Sequence, residues 1–234
     1  MSSSIIITGA SSGIGRASAL ALAGWDGPLI LSGRSSDRLQ ESLALLIERR
    51  GRGSVCPADL SSPKQLAALV EWAEEQAPLH GFVHAGGGAE FGTAESQPPE
   101  VWEAQIGVNL NAAYRLTHLA LQGMIPRKQG HLVYINSVAG LRSFPASSAY
   151  VAAKHGLKGL ADAVREDVRQ HGIKVSTLYP GATASEWWQK QEGDFPLEEM
   201  LEVEAVGEAV AYILNQGGQT VVEELLLRHQ QGDF

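Results

Sequence analysis

The stretch Ile5-Ile6-Ile7-Thr8-Gly9-Ala10-Ser11-Ser12-Gly13-Ile14-Gly15 constrains the fold more than any other part of the chain. Three β-branched residues in a row read as a buried strand, which Thr8 closes. Glycines at 9, 13 and 15 permit positive φ and let a ligand approach bare backbone. The following Arg16-Ala17-Ser18-Ala19-Leu20-Ala21-Leu22-Ala23 is rich in helix formers, so its first amides and the positive end of its dipole face the turn. Strand, glycine turn and helix start, in that order, outline a dinucleotide site. The spacing is its own. Gly13-x-Gly15 is followed by Ser18 where a Gly-x-Gly-x-x-Gly pattern needs its third glycine, and Ile14 stands where a Gly-x4-Gly-Lys phosphate loop needs its second.

The 234 residues suffice for one large domain, and 44% hydrophobic with 19% charged content is ordinary for a soluble enzyme. A net charge of −8 argues against a broad nucleic-acid or acidic-membrane surface. No uninterrupted apolar run is long enough for a membrane span, and the first apolar run lacks a basic leader, so no secretory signal is expected. The single cysteine, Cys56, excludes an internal disulfide and fits a reducing cytoplasm, with Cys56 expected in the core beside a strand.

Strand and helix signals alternate almost throughout, which predicts an α/β protein with a parallel sheet covered on both faces. Strands are expected at Pro28–Ser32, Gly53–Cys56, Leu79–Ala85, His131–Ile135, Ile173–Leu178 and Thr220–Leu227. Helices are expected from Ser35 or Ser36, from Ser62-Pro63, from Ala149 to about Gln170, and over Val206–Leu214. A further long helix follows Pro98-Pro99 to about Pro126, with a break near Gly107. No linker or repeat divides the chain.

About 20 residues beyond the glycine turn, where a dinucleotide fold places a carboxylate for the ribose of NAD, stand Gly33 and Arg34. A guanidinium there suits a 2′-phosphate, favouring NADP(H) over NAD(H). Arg38 could assist but reads as surface charge. Tyr150 and Lys154 stand at i and i+4 on one helix face, pairing a phenol that can exchange a proton with a cation that stabilises its ionised form. Asn136-Ser137 ends a strand at the carboxyl edge of the sheet, where open α/β folds bind ligands, and Asn109 is a polar residue inside an amphipathic helix.

These motifs, Thr8-Gly9-x3-Gly13-x-Gly15, Asn109, Ser137 and Tyr150-x3-Lys154, resemble the short-chain dehydrogenase/reductase family, over nearly the whole chain and in family order. The resemblance implies one Rossmann-type doubly wound parallel sheet of about seven strands, with helices on both faces, spanning residues 1–234. It implies a catalytic tetrad of Asn109, Ser137, Tyr150 and Lys154. Tyr150 would be the general acid/base and Ser137 would polarise the substrate carbonyl. Lys154 would bind the nicotinamide ribose and lower the tyrosine pKa, and Asn109 would hold a water linking Lys154 to solvent. Cofactor contacts would come from Gly9, Ser11, Ser12, Gly13, Ile14, Gly15, Arg34, Asp59, Leu60, Ala85, Gly86, Tyr150, Lys154, Pro180, Gly181, Thr183 and Ser185. The family often has a second basic residue where this chain has Ser12, and its Asn-Asn-Ala-Gly reads Val83-His84-Ala85-Gly86 here, so His84 would take over a hydrogen bond. The histidines lack metal-ligand spacing, and no metal is expected.

The family's substrate-covering segment falls at about 181–203, with Trp187, Trp188, Phe195, Pro196, Leu197 and Met200 between the acids Glu186, Glu192 and Asp194. Ser143-Phe144-Pro145 would form the opposite wall. Such a lining suits a small or medium, apolar ketone or aldehyde and its alcohol. Two alternatives stand beside this reading. One is a small hydroxy-acid (serine-like) dehydrogenase, suggested by the tail Val221–Arg228, with Arg142 for the carboxylate. The other is a non-catalytic NADP(H)-binding sensor or scaffold. A homodimer or homotetramer is implied, built on helices near 108–126 and 149–170 whose Ala112, Ala113, Ala152, Ala153, Gly156 and Gly159 permit close packing.

Overall fold

The computed structural model describes residues 2–188 and 195–232. Every residue of β1 (Ser4–Thr8) is buried, as a central strand covered on both faces requires. Around it, β2 (Leu29–Ser32), β3 (Gly53–Val55), β4 (Leu79–His84), β5 (Gly130–Ile135), β6 (Ile173–Pro180) and β9 (Glu224–Leu227) complete a seven-stranded sheet in the order β3-β2-β1-β4-β5-β6-β9. All its pairings are parallel, with Ile6 opposite Ile30 on one side and Phe82 on the other. The order reverses between β1 and β4, and a crevice opens there at the carboxyl ends of the strands.

Alternation along the strands divides the core in two. On one face Ile6, Phe82, Leu132 and Tyr134 meet α3 (Pro63–Gln76), α5 (Ala112–Arg127) and α6 (Ser148–Val168). On the other, Ile7, Leu31, Val83 and Leu178 meet α1 (Gly13–Ala21), α2 (Ser36–Glu48) and α7 (Val203–Leu214). The doubly wound sheet is the predicted one. Ser35 caps α2 by accepting from Arg38 N–H, and Ser62 caps α3 by accepting from Gln65 N–H, with Pro63 at the first helical position.

Several boundaries differ from expectation. The break near Gly107 is a π-turn over Gly107–Asn111 that joins α4 (Pro99–Ile106) to α5 without ending the helical path. β6 runs on to Pro180, because β9 pairs alongside it there, and β9 begins at Glu224 rather than Thr220. A short parallel pair, β7 (Thr183–Ala184) with β8 (Leu201–Glu202), brackets the segment between them. Cys56 is half-buried against the core rather than enclosed in it, and burial pushes its thiol pKa up. Three of the small residues expected between subunits, Ala112, Ala113 and Ala153, are fully buried inside this chain's own core, since they lie on the sheet-facing side of α5 and α6. No described helix is long and apolar enough to cross a membrane.

Candidate active site

The glycine turn is held backbone against backbone. A Cβ on Gly9 would stand 2.9 Å from Gly86 Cα, and one on Gly15 would stand 2.3 Å from the Gly9 carbonyl oxygen. Gly9 itself has φ +69°, which a side chain would strain. The loop after β4 is fastened to this turn by Thr8, whose Oγ1 accepts from Gly86 N–H at 3.0 Å and is hydrogen-bonded to His84 Nδ1 at 3.2 Å. His84 therefore makes the hydrogen bond expected of it. Its other ring nitrogen, Nε2, is buried without a partner among the described residues. Burial, reinforced by the Lys154 charge, drops the His84 pKa to about 3, so the ring is neutral.

The N-terminus of α1 faces the crevice unneutralised. Ser12 makes no side-chain cap and the first turn carries no acid, so its amides are available to a phosphate. Gly9, Ser11, Ser12, Gly13, Ile14 and Gly15 line one cleft of about 500 Å³ together with Arg34, Asp59, Leu60, Ala85, Gly86 and Ser185. A pyrophosphate backbone fits a cradle of this kind, which side chains at the glycines would fill. Asp59 Oδ1 accepts from both N–H and Oγ–H of Ser61 at 2.8 Å, and these bonds hold its carboxyl below the usual range. Arg38 is not free surface charge: its guanidinium pairs with Glu186.

Pro180, Gly181 and Thr183 border a neighbouring cavity of about 510 Å³, and there the structure brings Asn109, Ser137, Tyr150 and Lys154 together. Asn136 sets this corner. Its Oδ1 accepts from Ser137 N–H at 2.9 Å and its Nδ2 donates to the Lys154 carbonyl at 3.1 Å, tying the end of β5 to α6. The sequence showed Asn136 only as a polar residue closing a strand; its bond to a residue 18 positions on depends on the tertiary fold. The Tyr150 hydroxyl is hydrogen-bonded to Ser137, and burial outweighs that bond and raises the phenol's pKa.

Lys154 Nζ donates to the Ile135 carbonyl at 3.0 Å and lies 5.6 Å from the centroid of the Tyr150 ring. Desolvation pulls its own pKa down to about 8. The ammonium thus lies over the ring, while the lowering that opposes burial at the phenol comes from the Ser137 hydrogen bond. Asn109, turned inward by the π-turn, donates from Nδ2 to the carbonyls of Gly88 (2.8 Å) and Gln105 (2.9 Å). Its Oδ1 accepts from Gly88 N–H at 3.3 Å, so its side chain anchors the loop after β4.

The outer wall is aromatic. Trp187, Trp188, Phe195 and Phe144 line the cavity as expected, joined by Phe91, which sequence reasoning missed. Phe91 meets Trp187 edge-on at 5.7 Å, Trp187 meets Trp188 at 4.8 Å, and Trp188 meets Phe195 at 4.8 Å. Pro145 lines the wall, whereas Ser143, Pro196 and Leu197 do not, and Met200 is buried in the core. Arg142 stacks its guanidinium over Phe144, 4.8 Å from the ring centroid, and is absent from the cavity lining. Glu192 and Asp194 lie outside the described residues. Among the described residues no three His, Cys, Asp or Glu side chains converge on a metal site.

Comparison with known proteins agrees with this architecture. The family model "short chain dehydrogenase" matches residues 3–194. The chain is 30% identical over 231 residues to cyclohexanol dehydrogenase of Acinetobacter sp., covering 93% of this chain and 92% of that protein. It is 29% identical to glycine betaine reductase ATRR of Emericella nidulans over 95% of this chain, but spans only 18% of that protein's length. Among solved structures, an actinorhodin polyketide ketoreductase variant with NADPH superposes with a TM-score of 0.90 at 25% identity, covering 100% of this chain and 98% of that one. A fold, a glycine turn and a match of this extent have one consequence: the chain belongs to the short chain dehydrogenase family.

Proposed function

We propose that this chain is an NADP(H)-dependent oxidoreductase that interconverts a small or medium, apolar ketone or aldehyde and its alcohol. The observation carrying the reading is the Tyr150 hydroxyl, hydrogen-bonded to Ser137 inside an aromatic-walled cavity that shares Ile14, Ala85, Ser185 and Trp187 with the glycine-lined cleft. Arg34 on the cleft wall suits a 2′-phosphate, and the ketoreductase neighbour was solved with NADPH.

When bound, the nicotinamide supplies or takes up the hydride. Ser137 and Tyr150 together would hold the carbonyl oxygen, and in reduction the Tyr150 O–H passes its proton to the forming alkoxide. The raised pKa of the buried phenol keeps it protonated at neutral pH, as an acid requires. The phenolate left behind faces the Lys154 ammonium, held in place by the Ile135 carbonyl. Asn109 keeps the loop after β4 in position and would hold a water linking Lys154 to solvent. Lys154 is the sole cation among the described lining residues, so the wall offers no guanidinium for a hydroxy-acid carboxylate.

The working unit would be the whole of 1–234, with the segment at about 181–203 lying over the substrate, in a cytoplasmic homodimer or homotetramer. NADPH oxidation measured against a panel of ketones, aldehydes and diketones tests the reading, with Tyr150→Phe expected to lower the rate at least about 100-fold. An unchanged rate would remove Tyr150 from the mechanism. Tight NADPH binding with no turnover on any member would favour a sensor.

A further inference from the structure

Arg38 stands four residues beyond Arg34, in the first turn of α2, and its guanidinium is held by the carboxylate of Glu186. Glu186 comes from the far side of the site. Its neighbours Ser185 and Trp187 line both the nucleotide cleft and the aromatic cavity, and Ser185 Cβ would lie 3.5 Å from a Cβ on Gly13. A residue of the substrate side thus pairs with Arg38, four residues beyond the Arg34 that lines the nucleotide cleft. Two other acids nearby are engaged elsewhere: Glu41 pairs with Arg16 at 3.4 Å, and Asp59 accepts from Ser61, while Asp37 adjoins Arg38 in the first turn of α2.

We propose that Glu186 is a nucleotide-selectivity residue. Its carboxylate pairs with Arg38, and the 2′-phosphate of an adenine dinucleotide takes Arg38 from it, while a nucleotide without that phosphate leaves the pair intact. The proposal rests on the reading of the cleft as an NADP(H) site. The exchange is feasible because both side chains of the pair are partly solvated, at 33% and 45% exposure, and such pairs hold weakly. A phosphate carries more charge than the carboxylate and offers a guanidinium two oxygens at once.

The test is the dissociation constant of NADPH and of NADH, followed by nicotinamide fluorescence, for the wild type, Arg34→Ala, Arg38→Gln, Glu186→Gln and the Arg38→Gln/Glu186→Gln double variant. Glu186→Gln should tighten NADPH about threefold or more and leave NADH unchanged. Arg38→Gln should weaken NADPH alone, and the double variant should match it, because Glu186 acts only through Arg38. Equal shifts for both nucleotides, or a Glu186→Gln effect that survives in the Arg38→Gln background, would overturn the proposal. A wild type that binds NADH as tightly as NADPH, with Arg34→Ala altering neither, would instead sink the NADP(H) reading beneath it. Discrimination that runs through Arg34 with a silent Glu186 would refute the exchange alone.

Discussion

Lys154 should make the fold less stable than that of a chain lacking its charge. The residue is 7% exposed, and among the described residues its ammonium donates to the Ile135 carbonyl. A pKa lowered from 10.5 to about 8 means that the unfolded chain binds this proton more tightly than the folded one. At about 1.36 kcal/mol per pH unit, holding the charged form costs the fold about 3 kcal/mol at pH 7. Lys154→Met removes that cost but leaves the Ile135 carbonyl unpaired, a loss of about 1 kcal/mol. The variant should therefore gain about 2 kcal/mol at pH 7, or about 4–8 °C in Tm for a chain of this size.

The pH dependence provides the check. Between pH 8 and 10.5 the unfolded chain carries the proton and the folded one sheds it, so wild-type stability rises across that window relative to the variant. By pH 9.5 the remaining cost is about 1 kcal/mol and the gain should nearly vanish. Urea denaturation of both chains at pH 7 and 9.5 reads this directly. A less stable Lys154→Met chain, or a gap that ignores pH, would refute the argument. Carbonyl reduction should fall sharply in the same variant, since the phenolate would lose the Lys154 ammonium that lies beside it.

Arg34→Ala should weaken NADPH far more than NADH in equilibrium titration, and equal losses would discredit a 2′-phosphate contact. His84 and His131 are both neutral in the fold, each with a pKa near about 3 through burial. The unfolded chain takes up their protons first, so stability should decline as pH falls below about 6.5, by about 1.4 kcal/mol per pH unit for each ring. In acid denaturation followed by circular dichroism, His84→Asn should flatten that slope. Trp188→Ala opens the aromatic wall and should raise KM for bulky ketones by about tenfold, with little effect on NADPH affinity in the same assays.

Most of the sheet was legible because strands buried on both faces must be apolar at nearly every position. Ile5–Ile7, Leu29–Leu31 and Leu132–Ile135 show this in one glance at the chain. The glycine turn was legible for the same reason: its backbone contacts leave no room for alternatives at Gly9 and Gly15. What escaped depends on partners distant in sequence. Phe91 sits in a stretch without periodicity, and its place is set by Trp187 and Trp188 nearly a hundred residues on. Arg38 looked like surface charge because nothing near it in sequence announces Glu186. The pairing of β9 with Thr177–Pro180 likewise fixed strand ends that a local pattern left open.

The π-turn at Gly107–Asn111 has a consequence for how this chain tolerates change. It accommodates one residue more than a regular α-helix would, and the surplus swings Asn109 toward the loop after β4. Deleting one residue there would remove the surplus and restore a regular α-helix, with α5 keeping its phase against the sheet, so Ala112, Leu116 and Met124 would stay in the core. The change would fall on Asn109, which would lose the inward swing that ties it to Gly88. The extra residue is therefore a device for aiming one side chain, carried at no expense to the packing on either side of it.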